Sequence, residues 1–189
     1  MRHWAMRFAI ALAASAVACF AYSHELPENR ATFILRDDNH VSLTLYLNLP
    51  EVLRRALAPQ RSFAEFVLVY SAMDAARFKA AVEDAEARMR QATAITDGTG
   101  RAPAVQKWAW PRIEDTHSEL QSLAAQLLLA PNQPPHDDPA EVHADLVTFG
   151  RTESLRASFP QEFDRVLAVS YRPKQVWVET GTKSPEIQF

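Results

Sequence analysis

The sequence predicts a single α+β domain in which a largely antiparallel β-sheet from N- and C-terminal strands packs against two to four central helices. Three observations predict this fold class. Runs rich in β-branched and aromatic residues lie near both ends, apolar residues recur at helical spacing in the middle, and no repeat or linker divides the chain. With 189 residues, 48% of them hydrophobic, the chain can bury one ordinary core.

The first two strands are predicted at residues 31–36 and 41–48. The polar residues 37–40 between them predict a hairpin with a four-residue loop. Apolar and polar residues alternate along the second strand, which predicts one buried face. Its apolar residues are Val41, Leu43, Leu45 and Leu47.

Three helices are predicted next. The first covers residues 50–58 and begins at a proline. Ser62 and Glu65 have the spacing of a capping box, although the apolar run 66–70 could also form a buried strand. The third helix, within 74–91, begins after a capping aspartate and has an apolar stripe formed by Phe78, Val82, Ala85 and Met89.

The second half of the chain also contains residue patterns typical of turns and of helix caps. Residues 93–96 and 105–110 flank Asp97-Gly98-Thr99-Gly100, which predicts a second hairpin. Thr116 and Glu119 have capping-box spacing and are expected to open a helix with the stripe Leu120, Leu123, Ala124, Leu127 and Leu128. The remaining predicted segments are a proline-rich loop at 131–139, a strand at 141–149, a turn or short helix at 154–163, a strand pair at 165–171 and 175–180, and an edge strand at 186–189.

Residues 1–23 are typical of a secretory signal peptide. Arg2 and Arg7 precede the run 8–21, which carries no charge and is too short to span a bilayer comfortably. We therefore expect a periplasmic or secreted protein whose domain is 24–189. Removing 23 of the 189 residues leaves 166, and the loss of two arginines moves the formal charge from −3 to −5.

The cleavage site determines which residue becomes the new N-terminus. Ala21 and Ser23 place small residues three positions and one position before a cut that leaves His24 first. A cut after Ala21 would leave Tyr22 first, and lipidation of Cys19 is a further alternative that would anchor the protein to a membrane.

Composition excludes several functional classes. Four glycines argue against a Gly-rich phosphate-binding loop, and a formal charge of −3 argues against a nucleic-acid partner. A single cysteine excludes an internal disulfide framework and a Cys-based zinc site. Because no Gly-x-Ser-x-Gly elbow or His-Glu-x-x-His motif occurs, we expect a non-enzymatic protein.

Metal binding is the most concrete chemistry that the residues offer. A histidine at a free N-terminus has two nitrogen donors, its α-amino group and its imidazole, and nitrogen donors suit copper. His24 would be that residue, and the candidate ligands near the proline-rich loop are His136, Asp137, Glu141 and His143. Glu141 and His143 share one face of the predicted strand, which a merely half-exposed strand would also show.

The remaining histidines and the tryptophans have simpler interpretations. His40 is expected in the hairpin turn, and His117 in the first turn of its helix. Trp108 and Trp110 share a face of their strand and are expected to pack beneath the long helix. Trp177 is a candidate ligand-binding residue, whose alternative role is to cover the sheet.

His24-Glu25-Leu26 follows the predicted signal peptide directly and precedes a hairpin, and Val176-Trp177-Val178-Glu179 lies near the other end. These short segments resemble the exported N-terminal segments of nickel–cobalt permeases of the hydrogenase/urease-accessory type. The chain lacks the membrane-spanning helices of those permeases, so the resemblance implies an accessory protein or neighbour of such a system. Copper or nickel is the ion that we expect such a protein to handle. The alternative is a metal-free interaction module of the cell envelope, which would use an exposed edge strand and the face that bears Trp177.

Overall fold

The computed structural model describes residues 29–130 and 138–173. It confirms the α+β class: the described residues form four helices and seven strands. The strands are β1 (Asn29–Asp37), β2 (His40–Leu47), β3 (Ala94–Asp97), β4 (Val105–Ala109), β5 (Ala140–Val147), β6 (Leu155–Ser158) and β7 (Val166–Tyr171). The helices are α1 (Leu49–Leu57), α2 (Phe63–Ser71), α3 (Ala75–Ala92) and α4 (Ile113–Leu129), with a short 3-10 helix (Gln161–Phe163) before β7.

Five of these strands form the main sheet, in the order β4-β5-β2-β1-β7. Its neighbours are antiparallel except β1 and β7, which are parallel. The strands β3 and β6 form a separate antiparallel pair. The predicted segments at 175–180 and 186–189, and most of the proline-rich loop, lie outside the described residues.

The first hairpin is tighter than predicted. Asp37 pairs with His40, so the connection is the two-residue turn 38–39 and not a four-residue loop. Neither Asp38 nor Asn39 has a positive φ, so this is not one of the primed turns usual in two-residue hairpins, and the register shifts between Leu35 and Asp37 beside it. His40 consequently lies in β2 and not in the turn.

The first three predicted helices are confirmed. Ser62 and Glu65 form the reciprocal bonds of a capping box at the start of α2, which excludes the strand alternative for residues 66–70. The side chain of Asp74 accepts bonds from the amides of Ala76 and Arg77 and caps α3. The buried residues of α3 are those of the predicted stripe, Phe78, Val82, Ala85 and Met89.

The helix α4 begins four residues, about one turn, earlier than predicted. Its first residue is Ile113, and the Thr116 hydroxyl lies within the helix, where it donates to the Arg112 carbonyl at 3.3 Å. Arg112 forms an ion pair with Asp115 at 2.8 Å, so charged residues support this helix start in place of a hydroxyl cap. Leu128 does not belong to the buried stripe, because 71% of it is exposed.

The second predicted hairpin is wrong. The strand β3 pairs with β6, and β4 pairs with β5. The carboxylate of Asp97 accepts bonds from the Thr99 amide and hydroxyl and from the Arg101 amide, and Gly100 has φ +87°, so the loop is a compact turn that sends the chain to the other sheet. The hydroxyl of Thr99 contributes most to holding the pKa of Asp97 below its usual range. Residues 155–158, predicted as a turn or short helix, form the strand that β3 requires.

Asn29 ties three elements together at one end of the main sheet. Its amide nitrogen donates to the Phe163 carbonyl at 2.6 Å, and its amide oxygen accepts from the Asn48 amide at 2.9 Å. The Asn48 side chain in turn accepts from the Glu51 amide at 3.1 Å and caps α1. The start of β1, the start of α1 and the approach to β7 are thereby fixed relative to one another.

A single apolar core joins the helices to one face of the main sheet. Leu43 and Leu45 of β2 belong to the same buried cluster as Phe66, Phe78 and Leu120 of the helices. Trp108 and Trp110 are half-buried against this core, as expected of packing residues. In the described part of the chain, the residues on the other face of the main sheet do not belong to this core.

Candidate functional site

The candidate site lies on the face of the main sheet that points away from the core, which we call the open face. Strand alternation places there the residues between the buried ones, and on β2 these are half-buried Ser42, Thr44 and Tyr46. The neighbouring strand β5 presents exposed Glu141, His143 and Asp145, while Val142, Ala144 and Leu146 are buried. The face assignment made from the sequence for β5 is therefore confirmed.

Register arranges these side chains in rows that cross the sheet. One row contains Arg30, Tyr46 and Glu141, and the Arg30 guanidinium lies 4.2 Å from the centre of the Tyr46 ring. The next row contains Thr44 and His143. Opposite charges and cation–π contacts between neighbouring strands stabilise such rows by a few tenths of a kcal/mol to about 1 kcal/mol each.

The imidazole of His143 has a polar neighbour at each of its two ring nitrogens. Its Nδ1 lies 3.2 Å from the Thr44 hydroxyl on the neighbouring strand. Its Nε2 lies 3.3 Å from Oε2 of Glu141, two residues earlier on the same strand face. The His143 side chain is 56% exposed and that of Glu141 51%, so a ligand could approach both.

The described residues bring together only part of the predicted metal site. They contain no group of three His, Cys, Asp or Glu side chains placed to hold a metal ion. Glu141 and His143 are adjacent, whereas Asp145 is turned towards the Ser42 hydroxyl at 3.4 Å. The predicted ligands His24, His136 and Asp137, together with Trp177, lie outside the described residues.

The directions of β1 and β5 decide at which end of the sheet the chain segments before them, which contain His24 and His136, join it. Because β1 and β5 are both antiparallel to β2, they begin at the same end of the sheet, where Arg30 and Glu141 both pair with Tyr46. Arg30 and Glu141 are separated by two strand spacings, which is about 10 Å. His24 precedes β1 by five positions, and His136 precedes Glu141 by five. An extended five-residue span reaches about 17 Å, so chain length allows both histidines to approach the Glu141–His143 pair.

The other described histidines lie elsewhere. His40 is on the open face, but at its opposite end, paired with Val147. His117 is one turn further into α4 than predicted and stacks on Phe78, with ring centres 4.3 Å apart. Its Nε2 is buried without a hydrogen-bond partner, so the ring acts as a packing residue within the helical layer.

A second feature was not predicted from the sequence. A cavity of about 750 Å³ separates β7 and the adjoining part of β1 from β6. Phe33 and Leu35 line one wall, and Leu155 and Phe159 line the other. No sequence signal could have revealed it, because it depends on β6 being a strand and on β7 lying beside β1.

One carboxyl group outside the open face has a strongly shifted pKa. Burial, and then repulsion from Glu83, raise the pKa of Glu86 to about 7, against a smaller opposing effect of Arg90. Glu86 belongs to α3, in the helical layer, and so is separate from the Glu141–His143 pair.

Comparison of the chain with protein-family models, with curated proteins and with solved structures gives no match. Within residues 29–130 and 138–173, no helix combines the length and the apolar character needed to cross a bilayer.

Proposed function

We propose that this protein is a non-enzymatic accessory protein of the cell envelope that binds a copper or nickel ion at the end of the open face where β1 and β5 begin. The observation that carries the proposal is the contact of 3.3 Å between His143 Nε2 and Glu141 Oε2 at that end of the sheet. An imidazole nitrogen and a carboxylate oxygen are both ligands of divalent transition metals.

The remaining ligands would come from segments that join the sheet at the same end. The α-amino group and imidazole of His24 would add two nitrogen donors after signal cleavage. His136 or Asp137 would complete the set next to Glu141. Such a site would form only in the processed protein, because the amine of His24 does not exist before cleavage.

The Thr44 hydroxyl supports the metal-binding role of His143. Metal-bound histidines usually have their second nitrogen held by a hydrogen bond, which fixes the tautomer and the orientation of the ring. Thr44 lies 3.2 Å from Nδ1, which leaves Nε2 as the nitrogen that faces a metal ion. The resemblance to exported segments of nickel–cobalt permeases makes nickel one of the first ions to test, and the nitrogen donors of His24 make copper the other.

The test is calorimetric titration of the exported protein with Ni²⁺ and Cu²⁺, after mass spectrometry has established its N-terminal residue. We expect micromolar or tighter binding by a chain that begins at His24, and a loss of at least about tenfold in affinity for His143→Ala. His40→Ala is the matched control, because it removes an imidazole from the other end of the same face. Absence of binding, or equal losses in both variants, would reject the metal site.

A second candidate function is a metal-free interaction module of the envelope, in which the open face near β7 contacts a partner protein. Leu167 is 43% exposed and Tyr171 58% exposed, and both lie on the open face of an edge strand. Exposed aromatic and aliphatic residues on a sheet face are common at protein interfaces. If the titration shows no metal binding, and Leu167→Asp abolishes recovery of a partner by crosslinking in the native envelope while His143→Ala does not, this second function is supported.

A further inference from the structure

The cavity beside β7 is a cleft between the two sheets. Phe33 and Val41 line it from the core face of the main sheet. Leu155 and Phe159 line it from the opposite side, where antiparallel pairing with β3 holds β6 in place. Ligand cavities commonly have volumes of roughly 300–1,000 Å³ and mostly apolar walls. This cavity, of about 750 Å³, has both properties.

The described residues leave a path from solvent to these apolar walls. Ala168 and Ser170 line the cavity and pair with Ala31 and Phe33 of β1, so they lie on the core side of the main sheet. Ala31 and Phe33 are buried, whereas Ala168 and Ser170 are exposed. Within the described part of the chain, a small molecule can therefore enter between β7 and β6 without any rearrangement of the core.

Among the described residues, two charged side chains line the cavity, one of each sign. They are Arg172, directly after β7, and Glu153, in the loop before β6. The residue before Glu153 and the guanidinium of Arg172 both contact the first hairpin turn. The Asp38 carbonyl accepts a bond from the Thr152 amide at 2.6 Å, and the Asp38 carboxylate lies 3.6 Å from the Arg172 guanidinium. The two charges therefore lie at the same end of the cavity.

Neither charge is held strongly by another side chain of the described residues. The Arg172 side chain is 58% exposed, and Asp38, its partner at 3.6 Å, also faces Arg151 at 4.0 Å. One carboxylate thus serves two guanidinium groups, and exposed pairs of this kind are weak. The exposed carboxylate of Glu153 forms no ion pair or hydrogen bond with the described residues. Both groups can therefore bind an opposite charge on a ligand.

We propose that this cavity binds a small zwitterion with an apolar side chain, namely an α-amino acid or a short peptide. The ligand's carboxylate contacts Arg172, its ammonium group contacts Glu153, and its side chain lies between the two sheets. Burial of the side chain provides most of the affinity, and the two charges provide orientation and selectivity.

Other ligand classes fit these walls less well. The apolar surface disfavours sugars, because burial of a hydroxyl group without a hydrogen bond is costly. A fatty acid would fill the cavity, but it would bring a second negative charge close to Glu153 and leave that carboxylate without a partner. Only a ligand with both charges matches both ends of the rim.

The cavity is separate from the proposed metal site. It lies on the core side of the main sheet beside β7, whereas Glu141 and His143 lie on the open face of β5, three strands away. The ligand proposal therefore does not rest on metal binding, and either one can fail without the other.

Calorimetric titration of the purified protein with phenylalanine and with the dipeptide Leu-Phe tests the ligand class. We expect at least one of them to bind with a Kd on the order of 10–100 µM, and the tighter of the two distinguishes an amino-acid site from a peptide site. The N-acetyl and C-terminal amide forms of that ligand should each bind about 5- to 10-fold more weakly, because each lacks one charge. Binding of neither zwitterion, or tighter binding of decanoate, would overturn the proposal.

Variants of the two charged residues test their separate roles. Arg172→Gln should weaken binding of the unmodified ligand about 5- to 10-fold but leave binding of its amide unchanged, since the amide has no carboxylate. Glu153→Gln should likewise affect the unmodified ligand but not its N-acetyl form. Arg151→Gln is the matched control, because Arg151 also lies beside Asp38 but does not line the cavity. Equal losses in all three variants would contradict the assigned contacts and overturn the proposal.

Filling the cavity tests the location of the ligand. Ala168→Phe places a ring on the core side of β7, where the exposed position tolerates it, and should reduce the affinity by at least about tenfold. Ile34→Phe is the control, because Ile34 lies on the open face of β1 between residues that line the cavity. Thermal unfolding establishes that both variants are folded. Unchanged affinity in a folded Ala168→Phe protein would place the ligand elsewhere and overturn the proposal.

Discussion

The hydroxyl of Thr44 lies 3.2 Å from Nδ1 of His143, across the boundary between β2 and β5. The two residues are 99 positions apart in sequence, yet they lie on neighbouring strands. It orients the imidazole so that Nε2 points to Glu141 at 3.3 Å. The geometry of the candidate metal ligand is thus fixed by a residue that would not itself touch the metal.

Replacement of that positioning residue should weaken metal binding while leaving the fold intact. We expect Thr44→Val to lower the affinity for Ni²⁺ or Cu²⁺ by about 10- to 100-fold, because the ring loses the hydrogen bond that orients it. Thermal unfolding should change little, since the side chain lies on the open face. Thr32→Val, one strand away in the same row, should leave the affinity unchanged. A Thr44→Val protein with normal affinity would argue against a positioning role.

Loss of the Asn29 side chain should destabilise the fold. Asn29→Ala leaves the Phe163 carbonyl and the Asn48 amide without their partner in a buried environment. We expect a decrease of about 1–3 kcal/mol in the free energy of unfolding, measured by urea denaturation. The exposed amide of Gln60 provides the control, and Gln60→Ala should change stability by less than about 0.5 kcal/mol.

Glu86 should make stability depend on pH near neutrality. Its pKa is raised from 4.5 to about 7 in the folded protein, so the native state binds more protons than the unfolded chain between these values, and this contribution to stability falls as pH rises through that window. We compare the free energy of unfolding of Glu86→Gln with that of the wild type at each pH. This difference should favour the variant by about 1–2 kcal/mol more at pH 8 than at pH 4, after allowance for the partial exposure of the group. Gln91→Ala, at an exposed position of the same helix that carries no titratable group, should show no such difference. An equal offset at both pH values would contradict the assignment.

Truncation of a side chain should destabilise the protein much more on the core face of β2 than on the open face of β1. Leu45 is fully buried in the centre of the sheet, so Leu45→Ala should reduce the free energy of unfolding by about 2–5 kcal/mol. Thr32→Ala, on the open face of β1, should cost less than about 1 kcal/mol. Similar losses in the two variants would mean that the open face is covered in solution.

Local patterns predicted most of the elements correctly. Capping signals at Ser62 and Asp74, and the stripe on α3, depend only on residues within one or two turns of each other. At Thr116 the capping pattern predicts the wrong helix start, because a hydroxyl inside a helix can bond to the carbonyl four residues earlier as well as cap a helix start. The sequence correctly predicts a turn after Asp97, but a turn sequence does not specify which strands pair on either side of it.

The candidate site was only partly predictable. Alternation along β5 places Glu141 and His143 on one face, as the structure confirms. The Thr44 contact, the shared end of β1 and β5, and the cavity beside β7 all depend on which strands are neighbours. Strand order depends on packing between distant segments, and no local spacing encodes it.

The sequence by itself determined the α+β class, the limits of most helices and the face on which each residue of β2 and β5 lies, because these properties follow from periodicity and short-range hydrogen bonds. Only the tertiary structure decided that β3 and β4 belong to different sheets, that β7 runs parallel to β1, and that the residue orienting His143 is Thr44. Those outcomes reflect the burial of one common core by segments far apart in the chain, and that balance of packing is a property of the whole domain.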